Sequence, residues 1–345
     1  YSPAEILHSI WGSSLFWIIV IFAYYVIATM LPIDKIIGKI YPLFAFSLLF
    51  MAGALMVMLF VKMPQLPELW THFYNMGAEA EPEKWTDQIF PCLFITIACG
   101  AISGFHATQS PLMARCVKSE HMGRPIFYGA MITEGVVALI WATVSSWFFY
   151  GSPAPGYELI AAVNTGFSTS APAVVNIVCN DWLGVAGAIL ALLGVVAAPI
   201  TSGDTAFRSA RLIIGEWLHI DQRPIIKRLA ICLPLFISSI AMLVWQIENP
   251  DGFNIIWQYF GWANQTLSVF TLWTLTVYLV RQKKPYIITL IPALLMTTVC
   301  TTFLFVSKQA FHLPENIGYL LGILCLVVAL VWFIVWYRKE KSKLV

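Results

Sequence analysis

Between Val196 and Arg208 the chain reads Val-Ala-Ala-Pro-Ile-Thr-Ser-Gly-Asp-Thr-Ala-Phe-Arg, closing a strongly apolar stretch with Pro199, a hydroxyl pair and Asp204. A similar interruption, Ala98-Cys-Gly-Ala-Ile-Ser-Gly-Phe-His-Ala-Thr-Gln-Ser-Pro111, ends another apolar stretch with two glycines followed by donors and acceptors. In lipid every backbone N–H and C=O must be satisfied internally, so irregular backbone at membrane depth is tolerated only where it faces protein or a wet cavity. The two interruptions predict two broken membrane helices with polar centres, which is what a solute pathway requires.

Composition points the same way. The 345 residues are 59% hydrophobic, 14% aromatic and only 11% charged, with a mean hydropathy of +0.78; soluble domains carry roughly 25% charged residues. A water-soluble protein of this size cannot hide so much apolar surface. A net charge of +2, thinly scattered, argues against nucleic-acid binding.

Windows of about 20 apolar residues, enough to cross roughly 30 Å of hydrocarbon, give nine spans. They are Ile10 to Leu31, Tyr41 to Val61, Ile89 to Thr108, Pro125 to Tyr150, Trp182 to Thr201, Leu229 to Ile247, Ile255 to Leu279, Tyr286 to Val306 and Ile317 to Trp336. In alternate loops, Lys62, Lys84 and Lys308 fall on one side and all other Lys and Arg on the opposite side. The positive-inside rule makes the richer side, with the C-terminus, cytoplasmic. An odd number of spans then puts Tyr1 outside. With no initiator Met and no signal peptide, the chain reads as one transmembrane domain from a longer protein.

The external segment 62–88 is polar and acidic, a solvated connection. Segment 151–181 lacks Lys and Arg and carries an apolar pattern from Tyr157 to Val163. It reads as a lid-like hairpin over an entrance or as a plain surface loop. The seven cysteines show no paired ligand spacing and read as small apolar residues, not a metal site. No cofactor is implied.

Four constellations can carry transport chemistry. In the third span, Gly100, Ser103 and Gly104 permit unwinding, and His106, Thr108, Gln109 and Ser110 supply polar groups for a solute. Free carbonyls there suit a cation and a new helical N-terminus suits a carboxylate; the alternative is a GxxxG packing pair. In the fifth span, Thr201, Ser202 and Asp204 offer hard oxygen ligands for Na⁺ or a proton site. The alternative there is an i, i+4 ion pair between Asp204 and Arg208. Glu134 lies roughly 13 Å inside the fourth span. An ionisable group that deep costs roughly 2.5–3.5 kcal/mol unless paired, protonated or facing a cavity, making Glu134 the leading proton-coupling candidate. In the seventh span, Asn264 and Gln265 either bind solute or glue helices together.

The strings Gly100-Ala-Ile-Ser-Gly-Phe-His-Ala-Thr-Gln-Ser-Pro111, Phe127-Tyr-Gly-Ala-Met-Ile-Thr-Glu-Gly135, Ala198-Pro-Ile-Thr-Ser-Gly-Asp-Thr-Ala-Phe-Arg-Ser-Ala-Arg211 and Gly261-Trp-Ala-Asn-Gln-Thr266 resemble signatures of the carbon starvation protein A (CstA) family. The resemblance covers most of the chain and is weakest in the last two spans. It implies uptake of peptides or pyruvate across the bacterial inner membrane during carbon starvation, coupled to protons. It also implies the amino acid-polyamine-organocation superfamily fold, two inverted repeats of five helices whose first helices are broken. The nine spans then stand as helices four to twelve of a twelve-helix form, roughly the C-terminal three quarters of the parent chain.

The runner-up readings are a sodium-coupled amino-acid or carboxylate symporter and a transporter-like nutrient sensor. An intramembrane enzyme is disfavoured, because neither HExxH nor GxSxG occurs. Oligomeric state and solute identity stay open at this level.

Overall fold

The computed structural model describes residues 14–30, 33–66, 68, 89–150, 171–249 and 252–344. Among these residues ten α-helices follow in chain order: α1 (Ser14–Met30), α2 (Ile33–Lys62), α3 (Phe94–Ala101), α4 (Phe105–Cys116), α5 (Gly129–Tyr150), α6 (Ala171–Trp217), α7 (Ile225–Glu248), α8 (Gly252–Arg281), α9 (Ile287–Val306) and α10 (Glu315–Leu344). Short π turns, Ile89–Leu93 and Arg124–Tyr128, lead into α3 and α5. No β-strand occurs among the described residues.

Among the described residues the nine expected stretches are largely helical, and the third is split into α3 and α4. Five helical segments are individually long and apolar enough to cross a bilayer: Tyr41–Lys62, Glu120–Phe148, Ile225–Glu248, Ile287–Val306 and Glu315–Ser342. Their outward faces carry large apolar side chains, among them Leu139, Ile226, Ile288 and Trp332, the reverse of a water-facing surface. The protein is therefore an all-α integral membrane protein. The acidic connection, beyond 62–66 and 68, and residues 151–170 of the lid-like segment lie outside the described residues; 171–181 is helical.

The fifth span corrects one expectation. The backbone is not broken at Pro199 to Asp204, where α6 runs through to Trp217. Its hydroxyls fold back onto their own helix: Thr201 Oγ1 donates to the Ala198 carbonyl at 2.9 Å and Thr205 Oγ1 to the Thr201 carbonyl at 2.8 Å. Proline is tolerated in membrane helices because hydroxyls and neighbouring groups compensate the disturbed backbone. The discontinuity instead falls at Gly184, with φ 66° and ψ −177°, a conformation open essentially only to glycine.

The chain divides into two compact units, Tyr1–Pro67 with Val137–Leu243, and Glu68–Val136 with Val244–Val345. In the first unit, Met51, Ala52 and Leu55 of α2 meet Ile140, Val144, Trp147 and Phe148 of α5 and Val174, Val178 and Trp182 of α6. These recur at three- and four-residue intervals, so each helix contributes one stripe. Lys62 closes one end of this core, 3.4 Å from Asp181 and over the Trp182 ring. A smaller cluster joins Tyr25 of α1 to Cys232 and Phe236 of α7, with Phe207 of α6 packed against it. In the second unit, Ile95 of α3 packs on Met296, Val299, Cys300 and Phe303 of α9, with Trp262, Val269 and Leu272 of α8 alongside.

Candidate functional site

The break in the third span occupies Ile102 to Gly104, between α3 and α4. Helix α4 resumes with no side chain capping its first turn, while the backbone amides of His106 and Ala107 donate to the Ser103 and Gly104 carbonyls. Ser103 turns its hydroxyl away from the helix end and onto Asn264 Oδ1 of α8 at 3.3 Å. Gly104 is buried, and a Cβ added there would collide with the Asn264 carbonyl oxygen and lie 2.7 Å from Leu267 Cβ. Its backbone conformation is ordinary right-handed helix, so close approach to α8 is what requires glycine.

On α8, Gln265 is fully buried. Its Nε2 donates to the Ile95 carbonyl of α3 at 3.3 Å, and Ser268 Oγ donates to the Gln265 carbonyl at 2.6 Å. Trp262 Nε1 donates to the Cys300 carbonyl of α9 at 3.1 Å. Of the two amides expected to serve a solute or join helices, Gln265 is engaged in helix joining and Asn264 lies against the break. Gly100 stands in the last turn of α3. Thr108, Gln109 and Ser110 all lie on α4, with Gln109 buried and the other two half-buried.

His106 and Glu134, assigned to separate roles on sequence, meet: Nε2 of His106 lies 3.1 Å from Oε2 of Glu134, with the side chains 35% and 39% exposed. His106 stands in the first turn of α4 and Glu134 in the second turn of α5. The deep carboxylate has thus met one condition for its placement, a partner.

In the other unit, Asp204 is fully buried. It accepts from the Tyr41 hydroxyl at 3.0 Å and pairs with Arg208 Nη2 at 3.3 Å. The same Arg208 nitrogen donates to the Ala28 carbonyl at 3.0 Å. The geometry is that of the i, i+4 pair, extended to α1 and α2. Ser202, one residue from Thr201, is exposed.

Tyr41 was not legible as a member of this cluster, since nothing in local spacing links it to a residue on α6. The link of His106 to Glu134 was likewise invisible, although both residues stood out singly.

Comparison with known proteins bears on these strings. Residues 3–154 and 156–303 match the family described as Carbon starvation protein CstA. An "Uncharacterized membrane protein" of Haemophilus influenzae is 48% identical over 157 residues, 42% of this chain and 42% of that protein. "Peptide transporter CstA" of Bacillus subtilis is 28% identical over 328 residues, 84% of this chain and 54% of that protein. "Pyruvate/proton symporter BtsT" of Escherichia coli is 41% identical over 75 residues, 21% of this chain and 10% of that protein. The chain spans about half the length of the peptide-transporter relatives it matches. No solved structure matches. The family match extends over most of the chain and includes the break, Glu134, the Asp204 cluster and the α8 amides: this chain belongs to the carbon starvation protein CstA family.

Proposed function

We propose that the protein is a proton-driven secondary transporter that imports a small carboxylate-bearing solute, a peptide or pyruvate, across the bacterial inner membrane by alternating access. The observation that carries this reading is the broken third span with the His106–Glu134 pair beside it. The start of α4 has no side-chain cap and its positive dipole end attracts a carboxylate, while the His106 and Ala107 amides stay with the Ser103 and Gly104 carbonyls. Ser103 and Asn264, hydrogen-bonded to each other, lie beside the break.

Protons enter through linkage. A solute carboxylate arriving near His106 favours the imidazolium, and protonation of the pair in turn favours the anionic solute, so each raises the other's affinity by the same factor. Transport needs the two protonation states to differ in preference for outward- and inward-facing forms. Sodium has less support as the driving ion, because the Thr201 hydroxyl donates within its own helix and Asp204 is held by Arg208 and Tyr41. The choice of solutes rests on the names of the relatives, peptide transporter and pyruvate/proton symporter. The excess of Lys and Arg on one side supports a cytoplasmic C-terminus.

The test is uptake of labelled pyruvate and of a labelled dipeptide into proteoliposomes holding the full-length protein, under an imposed proton gradient and then a sodium gradient. Accumulation of either solute under the proton gradient supports the reading. Accumulation driven only by sodium transfers the coupling role elsewhere, and saturable binding without accumulation replaces the transporter with a sensor.

A further inference from the structure

Toward their carboxyl ends, α8 and α10 leave a hollow in the apolar surface. Phe270, Trp273 and Val277 of α8 and Trp332, Phe333 and Trp336 of α10 line a groove of about 400 Å³, within the ~300–1,000 Å³ range of ligand pockets. The two helices run in the same direction. Trp273 and Phe333 have ring centroids 5.8 Å apart, and further along Arg281 Nε donates to Glu340 Oε1 at 2.9 Å.

Eight residues separate Trp273 from Arg281, about 12 Å at the helical rise. The groove therefore ends beneath a charged rim. Lys283, Lys284, Arg338, Lys339 and Lys341 are exposed there, and Glu340 is taken by Arg281. Between groove and rim, Tyr286 and Tyr337 lie with ring centroids 5.4 Å apart, amphipathic side chains of the kind that mark headgroup depth. Apolar groove, aromatic belt and cationic rim follow the order of a lipid's own parts.

We propose that this groove and rim bind one anionic phospholipid, with an acyl chain against the tryptophans and the phosphate among the lysines and arginines. Basic pockets beside membrane helices select anionic headgroups, and the five exposed cations repel the choline ammonium of a zwitterionic lipid. A second copy of the chain seated on the same face would set two identical basic rims side by side, which like-charge repulsion opposes.

The experiment places the full-length protein in phosphatidylcholine bilayers doped with either photoactivatable phosphatidylglycerol or its phosphatidylcholine counterpart, and maps the labelled peptides. Labelling at 270–277 and 329–336 is expected to be at least about five-fold greater from phosphatidylglycerol. The ratio should fall to about one in the Lys283→Gln, Lys284→Gln, Arg338→Gln, Lys339→Gln variant, as the charges supply the preference. Should that variant fail to fold, Lys284→Gln with Lys339→Gln is read by the same ratio. Trp332→Ala should lower labelling by phosphatidylglycerol with the rim intact. Equal labelling by the two lipids overturns the proposal, as does a preference that survives loss of the rim charges. Cross-links from this face to a second protein copy overturn it in favour of a dimer.

Discussion

His106 Nε2 stands 3.1 Å from Glu134 Oε2, joining α4 just after the break to α5 through a pair that is about one third exposed on each side. The Asp204–Arg208 pair is nearly sealed, at 1% and 8%. The first pair is open to its surroundings on one side. A sealed, multiply bonded pair braces helices, because separating it strands a charge in a low-dielectric interior.

Glu134→Gln keeps the shape and hydrogen-bonding reach of the side chain and removes its charge. Proton-driven accumulation should fall at least about ten-fold while solute exchange at equilibrium stays within about two-fold, the split expected when coupling and not binding is lost. Counterflow and gradient-driven uptake in proteoliposomes measure the two separately. Undiminished accumulation would remove Glu134 from the coupling role.

Asp204→Ala leaves Arg208 buried with only the Ala28 carbonyl among its described partners, and should cost about 3–5 kcal/mol, the typical penalty for an orphaned buried charge. Asp204→Leu combined with Arg208→Met should recover most of the loss. Thermal unfolding in detergent reads both, and an additive pair would show that the two residues are not coupled.

At Gly104 a methyl group has nowhere to go, since the atom in its way is the backbone oxygen of Asn264. Gly104→Ala should destabilise by about 1–3 kcal/mol, as overpacking does, and should lower uptake. Gly135, on α5, meets nothing within 4 Å of an added Cβ; Gly135→Ala should be neutral or stabilising by about 0.5–1 kcal/mol. Opposite signs in one melting series would confirm steric fit, as opposed to helix propensity, at Gly104.

Gly184→Ala poses the converse case, because space is free but the backbone lies at φ 66°. The expected loss is about 1–3 kcal/mol from conformation alone. A melting temperature equal to that of the parent would mean that this discontinuity tolerates a Cβ.

Much of the architecture was readable from hydropathy, because a lipid-facing helix must be apolar along its whole length and the signal is correspondingly long. The break at Ile102–Gly104 was readable too, as two glycines and a polar run in one apolar span. Pro199 misled because a proline can sit inside a membrane helix that stays continuous, as α6 does through to Trp217. Gly184, the actual interruption, is flanked directly by Leu183 and Val185 and resembles any other small residue in a membrane helix. The i, i+4 pair of Asp204 with Arg208 was legible; the long-range pairings of Asp204, Gln265 and Ser103 were not, since Tyr41, Ile95 and Asn264 are distant in sequence. Their hydrogen-bonding capacity was visible, but their addresses were not.

With no side chain between Gly104 and the Asn264 carbonyl, the two backbones have no rotamers through which slack can be taken up. Gln265 pins the next residue of α8 to Ile95, on the far side of the break. The start of α3 at Ile95, the start of α4 and the middle of α8 are therefore tied together as a strut. Any stroke that exposes one face of the break and then the other has to pivot outside this strut, and a distance probe fixed to α8 would travel with α4 instead of away from it.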